Sequence, residues 1–193
     1  NVAQIAAWLT DLRRGHERFL CVVPIFHVLG MTAVMNWPIC MGCTMTLVPK
    51  FEIKDFLKTI TKTRPSIAIL VPTILTAMVN YPEISKYDIS SINYVVSGSA
   101  PLPIEIMNRF EELTGSVILE GYGLTESSPV THVNPVKSKR KAGSIGIALP
   151  STDVRIMDLE TGTEEEQVGQ TGELAIKGPQ VMKGYWNMPE ETA

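Results

Sequence analysis

The stretch PSIAILVPTILTAMVN, Pro65 to Asn80, decides the fold. Ile67 to Val71 is an all-apolar run, suited to a strand covered on both faces rather than one with a wet side. The next residues, Ile74 to Asn80, read as a helix. Working outward, the same alternation repeats in both directions. Upstream, Val2 to Leu12 reads as a helix, Phe19 to Val23 as a strand ending at Pro24, and Met31 to Met41 as a buried helix. Thr44 to Val48 follows as a strand and Ile53 to Lys62 as an amphipathic helix. Downstream, Asn93 to Ser97 is a strand, Ile104 to Thr114 a helix stopped by Gly115, and Val117 to Glu120 a strand. Strand and helix in turn mark an α/β fold with a mostly parallel sheet flanked by helices. After Pro135 the pattern changes: Val154 to Asp158 and Glu173 to Lys177 are short strands with Gly- and Thr-rich turns between them. The expected division is an α/β unit over 1–135, a linker at Val136 to Lys141, and an incomplete β-rich unit over 142–193.

The 193 residues suit one large domain or two small ones, and with a net charge of −3 nothing argues for nucleic acid or a polybasic membrane anchor as partner. Three cysteines, an odd and sparse count, fit a reducing compartment and a cytoplasmic location. Cys40 and Cys43 form a C-x-x-C, a weak zinc signal without a second pair. They are expected to be small core residues at a helix-to-strand turn. Phe19 to Pro49 carries no Asp, Glu, Lys or Arg, but Pro24, Gly30, Pro38 and Gly42 cut it into pieces too short to span a bilayer. The basic run Lys137 to Lys141 is expected as a solvated loop, and Glu164-Glu165-Glu166 as an exposed turn. A start at Asn1 and an end at Glu190-Glu191-Thr192-Ala193, which looks like a helix start, lead to the expectation of a piece of a larger protein.

The chemistry concentrates in Glu120-Gly121-Tyr122-Gly123-Leu124-Thr125-Glu126. Glycine lets backbone approach a ligand, and an aromatic ring between two glycines can lie against a planar base. Thr125 can donate to a phosphate or carboxylate oxygen, and Glu126 can hold a hard cation such as Mg²⁺. On spacing alone two readings stay open: a nucleotide triphosphate site, or a strand-to-loop turn in which Tyr122 is packing and Glu126 is solvated.

The run Gly121 to Pro135, GYGLTESSPVTHVNP, resembles the adenine- and Mg²⁺-binding signature of the adenylate-forming (AMP-binding) superfamily. That superfamily holds acyl-CoA synthetases, beetle luciferases and peptide-synthetase adenylation domains. Val23 to His27, Ser97 to Leu102, Gly143 to Gly146, and Gly172-Glu173-Leu174 through Gly178 to Gly184-Tyr185-Trp186 extend the resemblance over nearly the whole chain. It is most similar to fatty acyl-CoA ligases. The resemblance implies a large α/β subdomain followed by part of a distorted β-barrel. It implies ATP and Mg²⁺, with coenzyme A and a medium- to long-chain fatty acid as co-substrates. Tyr122 is then expected on adenine, with the Ser99-Ala100-Pro101 backbone on its other side or edge. Gly98, Gly121 and Gly123 would keep backbone close. Thr125 would touch the α-phosphate or the acyl carboxylate, Glu126 would hold Mg²⁺, and His27 would sit at the acyl carboxylate end.

Bland readings stand beside these. His27 can be a satisfied core histidine, and Glu120 either helps the adenine edge or is a surface carboxylate. His132 either lines the acyl pocket or carries no role, and His16 has no support. The apolar pocket walls are expected from Val28 to Met35 and from Gly123-Leu124. The chain has no Phe-Asp pair, which disfavours an amino acid substrate. An aryl-CoA ligase, a luciferase-like enzyme and a non-catalytic α/β module holding metal through Cys40 and Cys43 remain as alternatives. A homodimer and peripheral membrane contact stay open. The family's phosphate loop ending in Pro-Lys-Gly does not occur in these residues, nor do the downstream ribose acid, hinge and C-terminal lysine. The 193 residues alone are therefore expected not to make acyl-AMP.

Overall fold

The structure, a computed structural model, describes residues 1–163 and 165–192. Five parallel strands form most of one sheet: β1 (Arg18–Cys21), β2 (Thr44–Leu47), β3 (Ile67–Leu70), β4 (Tyr94–Ser97) and β5 (Val117–Gly123). Two antiparallel strands, β6 (Val130–Val133) and β7 (Ile147–Ala148), complete a seven-stranded order β2-β1-β3-β4-β5-β6-β7. The helices are α1 (Val2–Trp8), α2 (Trp37–Met41), α3 (Ile53–Thr63), α4 (Pro72–Val79), α5 (Ile104–Thr114) and the short α6 (Pro189–Thr192). A separate antiparallel pair, β8 (Asp153–Met157) with β9 (Glu173–Lys177), follows.

Strand β3 shows why the sheet must be covered twice. All four of its residues are buried. Ala68 and Leu70 enter a core with Phe56, Leu57 and Ile60 of α3, Leu75 and Met78 of α4, and Phe110 of α5. Ile67 and Ile69 enter the opposite core, with Ile5 of α1 and Trp37 of α2. Successive side chains of a strand point to opposite faces, so an all-apolar strand needs a helical layer on each side. Strand β1 does the same, with Leu20 on one face and Phe19 and Cys21 on the other. Burial pushes the Cys21 thiol up to about 11, which leaves it a packing residue.

Several expectations need correcting. Helix α1 stops at Trp8 rather than Leu12, because Leu9 leaves helical geometry (φ −93°, ψ 69°). The segment expected as one helix over Met31 to Met41 is a wider π-type helix, Gly30–Asn36, running into α2. Pro38, which has no N–H to give, sits in the first turn of α2, where its absence costs least. Strand β5 runs on past Glu120 to Gly123, and β6 was not expected at all. Its four buried residues include Thr131 and His132, which hide an apolar strand pattern. Strand β7 lies beyond the expected linker yet pairs with β6.

Helix α5 and its stop match residue for residue, with Gly115 in the left-handed region at φ 73°. The basic run is not merely solvated. Lys137 pairs with Asp11 at 2.6 Å, and Arg140, half-buried, reaches Glu111 at 2.5 Å and the Ile118 carbonyl at 2.7 Å. In the acidic run Glu164 lies outside the described residues. Glu165 bridges to Met157 and the Glu166 N–H donates to the Ile156 carbonyl at 2.7 Å, so this part joins the β8–β9 unit. Cys43 is half-buried but Cys40 is exposed, so the pair sits at a helix-to-strand turn without both members being core. Among the described residues no helix is long and apolar enough to cross a membrane.

Candidate active site

Open parallel sheets place ligands outside the carboxyl ends of their strands. Here Ser97 ends β4 and Gly121 to Gly123 end β5, and two adjoining cavities of about 320 and 370 Å³ lie at those ends. Ser97, Ser99, Gly121, Tyr122 and Gly123 line both. The first is completed by His27, Val28, Leu29, Gly98, Thr125, Glu126 and Val130, and the second by Ala100, Pro101, Glu120 and the Gly143–Ile145 turn. The residues expected to face nucleotide, metal and carboxylate, namely His27, Gly98 to Pro101 and Glu120 to Glu126, thus line one or other of these cavities.

The glycines answer first to the protein's own backbone. A Cβ on Gly123 would lie 1.9 Å from the Pro129 carbonyl oxygen, and one on Gly98 3.2 Å from that of Gly121. They let β4, β5 and β6 approach each other, which differs from keeping space for a ligand. Ser99 holds a left-handed conformation (φ 70°), uncommon for a non-glycine residue and a form of backbone strain that concentrates at functional sites.

Tyr122 is half-buried and meets His132 edge-on, with ring centroids 6.2 Å apart at 64°. His132 lines neither cavity. It is buried behind Tyr122 with Nδ1 2.9 Å from Thr131 Oγ1, and burial lowers its pKa. The acyl-pocket reading of His132 is overturned. His27, by contrast, is exposed at the first cavity, so the core-histidine reading fails for it. Its Nδ1 accepts the Leu29 N–H at 3.2 Å, which leaves Nε2 to carry the proton of the neutral ring. His16 lines a polar cleft with Arg18 and Asn93, residues at the opposite ends of the strands.

Glu120 is no surface carboxylate. It is 9 % exposed and its Oε2 accepts the Gly143 N–H at 2.9 Å. Burial raises its pKa, opposed by backbone donors at Gly143 and Leu102. It ties two loops together beneath the second cavity. Thr125 and Glu126 sit in the short helical turn Thr125–Ser127, which buried Ser127 staples through the Leu124 N–H and the Pro129 carbonyl. The Thr125 hydroxyl makes no hydrogen bond among the described residues. Glu126 Oε1 accepts the Tyr185 O–H at 2.7 Å, and this bond lowers the Glu126 pKa.

Of the apolar walls expected from Val28 to Met35, only Val28 and Leu29 line the first cavity. Ala33 and Val34 turn into the core instead. The expected Gly123-Leu124 edge does line the first cavity, and Val96, Pro129 and Val130 supply further apolar surface.

Two residues escaped the sequence reading. Ser97 is 2 % exposed, lines both cavities, and its hydroxyl has no hydrogen-bond partner. Such an orphan at a cavity is a place for a ligand atom or a water. Tyr185 was noticed only as part of a motif, although it holds Glu126.

As a metal site, Glu126 stands alone. Among the described residues no three His, Cys, Asp or Glu cluster to hold an ion. That suits Mg²⁺ arriving with phosphates, since it is commonly bound by one or two carboxylates plus substrate oxygens. No Lys or Arg lines either cavity.

The pattern of the AMP-binding enzyme family matches residues 1–186. The chain belongs to that family. Among relatives, the long-chain-fatty-acid–CoA ligase of Bacillus subtilis (strain 168) is 50% identical over 193 residues, 100% of this chain and 34% of that protein. The 4-coumarate-CoA ligase 2 of Narcissus pseudonarcissus is 35% identical over 187 residues, 94% of this chain and 33% of that protein. Among solved structures, ATP bound MatB from Rhodopseudomonas palustris superposes with a TM-score of 0.90. It is 31% identical, covering 100% of this chain and 37% of that one. The chain thus spans about a third of the length of these relatives.

Proposed function

We propose that the chain is part of an ATP-dependent ligase that joins a medium- to long-chain fatty acid to coenzyme A. A fatty carboxylate oxygen attacks the α-phosphorus of ATP, the bond to the β-phosphate oxygen breaks, and acyl-AMP and pyrophosphate form. The sulfur of coenzyme A then attacks the acyl carbon, the thiol proton leaves to solvent, and AMP departs. Within the family's two-part large domain, residues 1–135 would be the α/β subdomain and 142–193 part of the β-rich one. A cytoplasmic setting fits the sparse cysteines; peripheral membrane contact and a homodimer are compatible with this reading and not required by it.

The observation that carries the reading is the first cavity itself. It sets an apolar floor of Leu29, Val96 and Val130 against free donors, His27 and Thr125, with Glu126 at its rim. A fatty acid needs both an oily wall and a polar end that aligns its carboxylate with a phosphate. In this arrangement Tyr122 and the Ser99-Ala100-Pro101 backbone hold adenine, with Gly98, Gly121 and Gly123 keeping β4, β5 and β6 close. The Nε2–H of His27 and the Thr125 hydroxyl donate to the acyl carboxylate or α-phosphate. Glu126 would hold Mg²⁺, which supplies charge neutralisation for the departing pyrophosphate. Glu120 acts at a remove, by fixing the loops under adenine.

A second reading, an aryl acid as substrate, is favoured by the similarity to a 4-coumarate-CoA ligase. ATP–pyrophosphate exchange with the full-length enzyme separates the two. The expected result is a higher kcat/KM for medium- to long-chain fatty acids than for 4-coumarate. A preference for 4-coumarate would sink the fatty acid reading.

A further inference from the structure

Glu126 is held from outside its own turn as well as by its own backbone N–H. The Tyr185 O–H donates to Oε1 at 2.7 Å, across 59 residues of sequence, and the Met182 N–H donates to the Glu126 carbonyl at 2.7 Å. Both donors lie in the segment that leaves β9 and leads to α6.

That segment is itself anchored at each end. At its base, Gln180 is 5 % exposed; its Nε2 donates to Thr152 Oγ1 at 2.7 Å and its Oε1 accepts from Gln4 Nε2 of α1 at 3.1 Å. At its far end, Thr192 Oγ1 accepts the Tyr185 N–H at 2.9 Å and donates to the Met188 carbonyl at 2.8 Å. Gly184 makes this possible. Its φ of +151° is open to glycine, and a Cβ there would lie 2.3 Å from Thr192 Cγ2. Tyr185 is therefore placed by its neighbours before it meets Glu126.

The consequence for a metal ligand is geometric. A glutamate on an exposed turn samples several rotamers, and each must be given up when an ion binds. A phenol on Oε1 selects among them. Mg²⁺ tolerates little departure from octahedral geometry, so the orientation of its carboxylate matters, and partners behind a ligand commonly set it.

We propose that Tyr185 is a positioning residue for the metal-side carboxylate, making the readiness of Glu126 depend on docking of the segment after β9 against the nucleotide loop. This rests on the reading of Glu126 as metal ligand given above. The same bond pushes the Tyr185 phenol up while holding the Glu126 carboxyl down, so the pair is a neutral donor on a charged acceptor.

The test uses the full-length enzyme, the variants Tyr185→Phe and Glu126→Gln, and Mn²⁺ as probe. Mn²⁺ binding to the enzyme with ATP and no acid present is followed by the loss of the free-ion electron paramagnetic signal. Tyr185→Phe should weaken Mn²⁺ binding on the order of three- to tenfold, the scale of one lost hydrogen bond to a charged group at a partly exposed site. ATP affinity without metal should not change. In the Glu126→Gln background the same substitution should add nothing, since the two act as one unit. Unchanged Mn²⁺ affinity in Tyr185→Phe, or an equal loss in both backgrounds, overturns the proposal. So does an equal fall in metal-free ATP affinity, the mark of a merely structural role. The metal arm contains no acid, so a failed fatty acid assignment leaves it readable. If Glu126→Gln leaves Mn²⁺ affinity intact, the ligand assignment and this proposal fall together while the exchange assay still reports the substrate.

Discussion

Tyr122 is the residue on which both cavities turn, since it lines both, and the His132 ring meets it edge-on. If adenine stacks there, Tyr122→Ala costs about 1–3 kcal/mol of ATP affinity, the scale of base–aromatic stacking. Tyr122→Phe keeps most of that, because the ring face carries the contact. Thermal unfolding of the same full-length variants completes the measurement. An alanine variant that loses stability but binds ATP normally makes Tyr122 a packing residue and removes the adenine assignment. At this scale the sequence was readable where a side chain announces its chemistry: Thr125 and Glu126 line the first cavity, where their types suggested. Ser97 was not readable, because what distinguishes it is a hydroxyl without a partner in a closed place. Tyr185 was hidden for the opposite reason, since its partner is far away in sequence.

At the scale of elements, apolar patterning placed β1 to β5 and the helices between them, because strands buried on both faces read as continuous apolar runs. It missed β6, whose Thr131 and His132 are buried yet polar, and the π-type helix, whose wider turns leave no pattern of their own. Glycines mark such places physically. Gly146 precedes β7 at φ 94°, and a Cβ there would lie 2.2 Å from the Val133 carbonyl carbon of β6. Gly42, at φ 65° after α2, has nothing within 4 Å of that position. Gly42→Ala should cost roughly 1–2 kcal/mol, the left-handed penalty alone. Gly146→Ala adds overpacking of about 1–3 kcal/mol and should strip β7 from the sheet edge. Thermal midpoints, with amide hydrogen exchange at Ile147 and Ala148, measure both. Equal midpoints for the two variants would show that β6 yields easily and that β7 does not depend on close approach.

For the molecule as a whole, charge decides what this length of chain can do. ATP brings a triphosphate of about four negative charges, and stabilising charge that develops on it is usually the largest catalytic demand. The residues lining both cavities include Glu120 and Glu126 but no Lys or Arg. On the proposed reading they offer a base wall, an acyl floor, several hydroxyls and a place for one cation, and no positive charge of their own to set against the phosphates. The sequence already pointed this way, since no Pro-Lys-Gly run occurs in it. The relatives are about three times longer, leaving ample room for cationic groups outside the matched third. The 193-residue chain expressed alone should therefore give ATP–pyrophosphate exchange no higher than a blank with any fatty acid, while the full-length enzyme exchanges readily. A cooperative thermal transition of the short chain, expected from helical layers packed on both faces of its sheet, excludes simple unfolding as the cause. Exchange above the blank by the folded short chain would mean that Thr125, His27 and a Glu126-bound ion are enough for the chemistry, and that no cation from elsewhere in the protein is required.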